Sequence, residues 1–244
     1  MNKIILHKGK DKAAWQLHPW VFSGAIKQIK GQPENGEIVS IFNTDQEFIA
    51  YGVYNARSRV AVRLLEWDPD KQIDEQWWRT RVRKAVDNRK HLLNEANDSI
   101  RLIFAEADFL PGLIVDKYAD YISIQVHSTG TERVKPIIAD ELAKLLSPKG
   151  IYERSDVKAR EHEGLPDNNG LLWGQLPPEF VDIRENGISY QVNIIEGQKS
   201  GFYCDQRDNR LLIAQYAKNK RVLDCFCYSG GFTLNALYAG AAHV

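Results

Sequence analysis

Apolar and polar residues alternate in short runs through roughly the first seventy positions. Glu37-Ile38-Val39-Ser40-Ile41-Phe42 alternates, Asn43-Thr44-Asp45-Gln46 follows as a turn, and Glu47–Tyr54 and Val60–Leu65 supply two further strands. Short strands joined by short turns predict a small β-barrel, closed by Trp67-Asp68-Pro69-Asp70. The period then changes. With Asp74 as N-cap, Trp78, Val82, Val86 and Leu93 recur at helical spacing and predict a helix over 74–95. Its other face carries Arg79, Arg81, Arg83, Lys84 and Lys90. That face reads as solvated before it reads as an RNA contact, which would in any case touch phosphate more than base.

From 100 to 180 the pattern is mixed and predicts a small α+β module. Arg101–Phe104 and Tyr121–Val126 read as strands around the Leu110-Pro111-Gly112 turn, 131–146 as a helix, Gly150–Glu153 as a strand and Asp167–Gly170 as a turn. After Pro177-Pro178, Asn186-Gly187 between two alternating runs predicts a hairpin over 180–194. Helix 205–218, an apolar strand 221–226 and helix 232–240 complete the reading.

Composition narrows the class without choosing the function. The 244 residues are 43% hydrophobic and 26% charged, enough to build a packed core. Lys and Arg balance Asp and Glu at 32 each, so no global field draws the chain to nucleic acid, and binding would have to rest on local patches. No apolar run approaches a membrane span, and Ile4-Ile5-Leu6 is too short for a signal-peptide core. Three cysteines fit a reducing cytoplasm better than a disulfide framework. Cys225-x-Cys227 is too close for the common zinc spacing, and the six histidines are scattered, so no metal is expected. Cys204, Cys225 and Cys227 read as small buried hydrophobes or turn residues, Cys225 inside the buried strand.

The chemistry concentrates near the end of the chain. The apolar run Val222-Leu223-Asp224-Cys225-Phe226 places Asp224 near a strand's carboxyl end, where open α/β sheets bind ligands. Gly230 and Gly231 then open a helix, permit positive φ and leave its first amides accessible. The full Gly-x-Gly-x-x-Gly spacing is missing, which speaks against a dinucleotide. The simpler alternative is a tight turn with an incidental acid. Just upstream, Lys199, Phe202, Tyr203, Asp205 and Arg207 surround Gly201. Aromatics beside a cation and a carboxylate suit an adenine and a zwitterionic amino acid. The alternative there is a helix start, with Asp205 near the cap and Arg207 paired on the surface.

Taken together, Gly197-Gln198-Lys199-Ser200-Gly201-Phe202-Tyr203-Cys204-Asp205-Gln206-Arg207 and Asp224-Cys225-Phe226-Cys227-Tyr228-Ser229-Gly230-Gly231-Phe232 resemble a family of class I S-adenosylmethionine-dependent RNA methyltransferases. The nearest type is the large-subunit rRNA methyltransferase I group, which makes 5-methylcytosine in 23S rRNA. His18–Gly24, Leu110–Asp116 and Ile151–Asp156 match the same family in order. Ser200 and Ser229 stand where its members usually have Thr.

The resemblance implies a multi-domain α/β chain: a PUA β-barrel that grips RNA (1–72), a central α+β module (73–178) and the beginning of a Rossmann-like methyltransferase domain (179–244). It places S-adenosylmethionine against Phe202, Tyr203, Arg207, Asp224, Phe226, Gly230 and Gly231, with ribosomal RNA as partner, the cytoplasm as location and a homodimer left open. Methylating carbon five of cytosine calls for a cysteine thiolate beside a flipped base. The resemblance puts that cysteine beyond Val244, so the chain is expected to be a C-terminally truncated form, inactive alone and prone to associate through an uncovered strand. Gln16-Leu17 replaces residues often basic in relatives, which weakens RNA contact there, and Gln46 replaces a turn glycine. Two other readings compete: a non-catalytic PUA-type RNA-binding protein, and a nicotinamide-dependent oxidoreductase.

Overall fold

The computed structural model describes residues 2–156 and 158–244. Its N-terminal part holds β1 (Lys3–Leu6), α1 (Lys12–Trp15), β2 (Trp20–Val21), β3 (Ile26–Lys30), β4 (Ile38–Phe42), β5 (Phe48–Tyr54) and β6 (Val62–Glu66). They form one sheet in the order β2-β6-β5-β4-β1-β3, antiparallel except for the β1–β4 pair. Ile4, Leu6, Val39, Ile41, Ile49 and Leu64 fill its interior. In the β4–β5 turn the Asn43 side chain accepts the Asp45 and Glu47 amides at 3.0 and 2.9 Å. Gln46 sits there at φ 64°, so the turn keeps a glycine-like backbone without the glycine, at a cost of about 1 kcal/mol.

The central module begins with α2 (Glu75–Asp87), where Asp74 accepts the Trp77 amide at 2.8 Å as its N-cap. The helix stops at Asp87, short of the expected 95. Arg89 bonds the Leu102 carbonyl and Asp108, and Asn94 pairs with Asn97, so the chain turns toward the sheet. The basic face is solvated only in part: Arg83, Lys84 and Lys90 are exposed, while Arg79 and Arg81 are half-buried and paired. Arg79 meets Glu75, Asp140 and Glu141; Arg81 meets Glu66; Arg83 meets Glu141.

Next come β7 (Ser99–Phe104), β8 (Leu113–Tyr118), β9 (Tyr121–Val126), α3 (Thr129–Leu146), β10 (Gly150–Ser155), α4 (Ala159–Glu163) and β11 (Asn168–Gly174). The sheet runs β11-β10-β9-β8-β7, with α3 crossing between the parallel β9 and β10. The expected turn at 167–170 is instead the start of β11, an edge strand paired with β10 through Ser155–Asn168 and Glu153–Gly170. An edge position tolerates the Asn and Gly that argued for a turn.

The last part contains β12 (Val181–Glu185) and β13 (Ile188–Val192), joined by Asn186 and Gly187 at φ 55° and 76°, then α5 (Arg207–Ala217) and α6 (Gly231–Tyr238). The expected strand 221–226 does not form: only Arg221 bridges, to His243. An apolar run becomes a strand when neighbours pair and cover it. Here Leu223 is 85% exposed, Phe226 is fully exposed, and Cys225 is exposed instead of buried.

The two sheets are joined by both apolar and ionic contacts. Val53 and Leu65 of the N-terminal sheet belong to the central module's core. Arg63 of β6 reaches Glu106 and Glu163 at 2.9 Å each. Near this seam His127 is half-buried, and its Nε2 is shut away from water without a partner. Burial first, then the nearby Arg160 and Arg63, holds its pKa below the ordinary 6.5, with Glu106 opposing. The unfolded chain therefore takes up this proton before the folded one does. The His127 contribution is complete above pH 6.5 and is lost as pH falls below that value. Urea midpoints from pH 7.5 to pH 5 should fall more steeply for the wild type than for His127→Gln; parallel curves would refute this.

Candidate functional site

Two segments with little regular structure form a cleft of about 730 Å³, lined by Gln198, Lys199, Tyr203, Gln206, Arg210, Phe226, Tyr228, Gly231 and Phe232 among others. The first wall, 194–206, is anchored to the central sheet. Arg154 of β10 donates to the carbonyls of Ile194 and Gly197 at 2.7 and 3.1 Å. Ser200 bonds Asp116 and Tyr118 of β8, and Phe202 bonds Tyr118 through its backbone. The wall turns through Lys199 and Gly201, both at positive φ. A Cβ on Gly201 would approach Val192 to 2.8 Å, so glycine is required there.

The second wall is the 224–232 turn. Asp224 accepts the Thr233 amide at 3.1 Å and its hydroxyl at 2.6 Å, which fixes the first turn of α6. Gly230 takes φ 73° with open space where a Cβ would lie. Gly231 has no positive φ, contrary to expectation; it is small because a Cβ would lie 2.6 Å from Arg210 Nε. The two walls meet through Tyr228, whose hydroxyl accepts the Gln198 amide at 3.1 Å. Tyr203 packs edge-on against Tyr228 at 5.6 Å and carries Lys199 Nζ 4.2 Å from its ring centre.

Of the residues expected at a cofactor, Tyr203, Phe226 and Gly231 line the cleft, and Gly230 begins the helix at its edge. Asp224 stands behind the helix start as its clamp. Phe202 points away into the core, 1% exposed and stacked on Tyr190 at 5.1 Å. Arg207 is paired with Asp208 at 2.9 Å, as the alternative reading had it, though the arginine itself is half-buried and not on the surface. Arg210 was not singled out by the sequence. Its side chain is 4% exposed, bonds Glu185 at 2.6 Å, lies over the Phe202 ring and leaves Nε without a partner beside the cleft. The only hint in sequence was the second glycine, whose space it fills.

The set suits an amino-acid nucleoside: exposed rings for an apolar base, Lys199 and Arg210 for a carboxylate, and an open glycine at a helix start. Cys204 is buried, and burial first, then Asp116, pushes its thiol well above the usual range, so it is no thiolate nucleophile. Among the described residues no group of three or more His, Cys, Asp or Glu side chains gathers as metal ligands. No helix among them is long and apolar enough to cross a membrane.

Comparison with known proteins adds the family context. A PUA-like domain matches residues 4–67, and an S-adenosylmethionine-dependent methyltransferase domain matches 154–244. The chain is 43% identical over 242 residues to the Ribosomal RNA large subunit methyltransferase I of Aliivibrio fischeri strain ES114, covering 99% of this chain and 61% of that protein. It is 41% identical to the protein of the same name from Pseudoalteromonas translucida, covering 100% and 62%. Among solved structures, a Streptococcus mutans protein described as a SAM-dependent methyltransferase superposes with a TM-score of 0.83 at 21% identity, over 99% of this chain and 62% of that one. A methyltransferase complexed with SAH superposes at 0.84, also at 21% identity, over 99% and 61%. The fold is thus mixed α/β, with an N-terminal PUA-like domain and a Rossmann-like methyltransferase fold.

Proposed function

We propose that this chain, which spans 61% of their length, belongs with the Ribosomal RNA large subunit methyltransferase I proteins it matches, and that its cleft takes S-adenosylmethionine for methyl transfer to ribosomal RNA. The carrying observation is that both family segments, 197–207 and 224–232, converge on one cleft that joins aromatic rings, two cations and an open glycine turn. When bound, S-adenosylmethionine supplies an electrophilic methyl group. Tyr203 and Phe226 provide apolar surface for its adenosine. Lys199 and Arg210 provide positive charge for its carboxylate, and Asp224 keeps the α6 amides oriented by capping the first turn.

The finer target, carbon five of a cytosine in 23S rRNA, rests on the family. It needs a thiolate that Cys204, held protonated by burial, does not supply. The PUA-like domain is the RNA grip in this reading, the cytoplasm is the place of action, and a homodimer is the assembly that sedimentation should weigh.

Isothermal titration with S-adenosylhomocysteine tests the cleft. One molecule should bind per chain, and Tyr203→Ala should weaken it about three- to tenfold through lost aromatic contact. Binding of NAD with none of S-adenosylhomocysteine would overturn the assignment in favour of an oxidoreductase.

A further inference from the structure

We infer that β8 of the central module, which lies outside both matched domains, is a positioning element of the cofactor cleft: Asp116 and Tyr118 set the shape of the wall that carries Lys199 and Tyr203. The inference rests on the cleft's assignment as the S-adenosylmethionine site.

Asp116 is fully buried and takes Arg101 as a two-pronged partner, Nε at 2.9 Å and Nη2 at 3.0 Å. The same carboxylate accepts the Ser200 hydroxyl. Because Ser200 has given its one proton to Asp116, its oxygen is left as an acceptor, and the Tyr118 hydroxyl lies 2.9 Å from it. Tyr118 is also fully buried, and burial, with Cys204 and Asp116 adding to it, keeps its phenol protonated and able to donate. Its oxygen accepts the Phe202 amide at 3.0 Å, while its proton is shared between Ser200 and the Phe202 carbonyl. Two β8 side chains thus satisfy the polar groups of a turn more than eighty residues away.

The turn needs such a clamp. Lys199 at φ 53° and Gly201 at φ 124° flank Ser200, and unusual backbone persists only where its surroundings over-determine it. Ser200 and Phe202 are each 1% exposed, whereas Lys199 and Tyr203, their neighbours, face the cleft. Fixing the buried pair therefore fixes the lining pair. Neither Asp116 nor Tyr118 lines the cleft, so both act through the turn as positioning residues.

The test uses conservative variants of the intact chain and S-adenosylhomocysteine as probe. Tyr118→Phe and Ser200→Ala should each weaken binding about tenfold, the worth of a buried hydrogen bond. Ser200→Thr, which keeps the hydroxyl, should bind like the wild type. In ligand-free protein, amide exchange over 198–203 should quicken about tenfold in Tyr118→Phe. Ile41→Val, a comparable destabilisation in the remote N-terminal sheet, separates stability from positioning and should leave both readouts unchanged. Wild-type affinity in Tyr118→Phe and Ser200→Ala would overturn the inference, as would an equal loss in Ile41→Val. A wild-type chain that takes no S-adenosylhomocysteine would instead overturn the cleft's assignment.

Discussion

Replacing Arg160 by alanine is expected to cost about 3–5 kcal/mol of stability, the penalty of breaking a buried ion pair by removing one partner. Arg160 is 1% exposed. Its Nη1 donates to the Val126 carbonyl at 2.6 Å and to Glu132 at 2.9 Å, and its Nε donates to the Pro166 carbonyl at 2.7 Å. Alanine would strand two carbonyls and leave Glu132 and Glu153 with Lys135 as their one remaining cation among these contacts. Lys135 touches both carboxylates, which keeps the loss from being larger. Urea unfolding at constant m-value reads the change. A loss below about 1 kcal/mol would show that this buried charge is dispensable.

The second large effect is expected at Gly231→Ala. In an ordinary helix, alanine is better than glycine by about 1 kcal/mol. Here the new Cβ would lie 2.6 Å from Arg210 Nε and 3.2 Å from its Cζ, and the sign reverses. Arg210 has no easy retreat, because Glu185 holds its Nη1 at 2.6 Å and the Phe202 ring lies 4.4 Å from Cζ. Moving it breaks a buried pair and disturbs the cleft floor. We expect a loss of about 2–3 kcal/mol from overpacking and the disturbed pair, with S-adenosylhomocysteine affinity falling at least about tenfold. Gly230→Ala is the contrast: its Cβ would meet nothing within 4 Å, so only the φ 73° strain of about 1 kcal/mol applies. Equal losses at both positions would refute the Arg210 explanation.

Local signals in the sequence were sound wherever local chemistry decides. Asn186-Gly187 adopts the positive φ pair that a tight hairpin demands, and Asp74 caps α2 as its position indicated. Strands β4, β5 and β6 form within two residues of the predicted runs, although both of their faces are largely covered and burial does not alternate along them. The failures are non-local. β8 carries the polar pair Asp116-Lys117 within its span, and its acid is neutralised by Arg101 from the neighbouring strand. β11 opens on Asn and Gly because it needs pairing on one side only. The run 221–226 carries a strand's composition without a strand's neighbours. At the site, the Gly-Gly turn and Tyr203 were legible because their motifs are short. The resemblance puts Phe202 and Arg207 beside Tyr203 at the cofactor, yet a one-residue step from Tyr203 turns Phe202 into the core. Arg210 was invisible, since nothing local distinguishes a buried arginine from a surface one.

The Arg63 tie has a mechanical meaning. With Glu106 on one side, Glu163 on the other, and Val53 and Leu65 sunk in the neighbouring core, the N-terminal sheet is bolted at several points. It behaves as one jaw of a caliper rather than a tethered weight. If this sheet is the RNA grip proposed above, the bound strand would be presented to the cleft at a set span, and selection among sites would then include measuring distance.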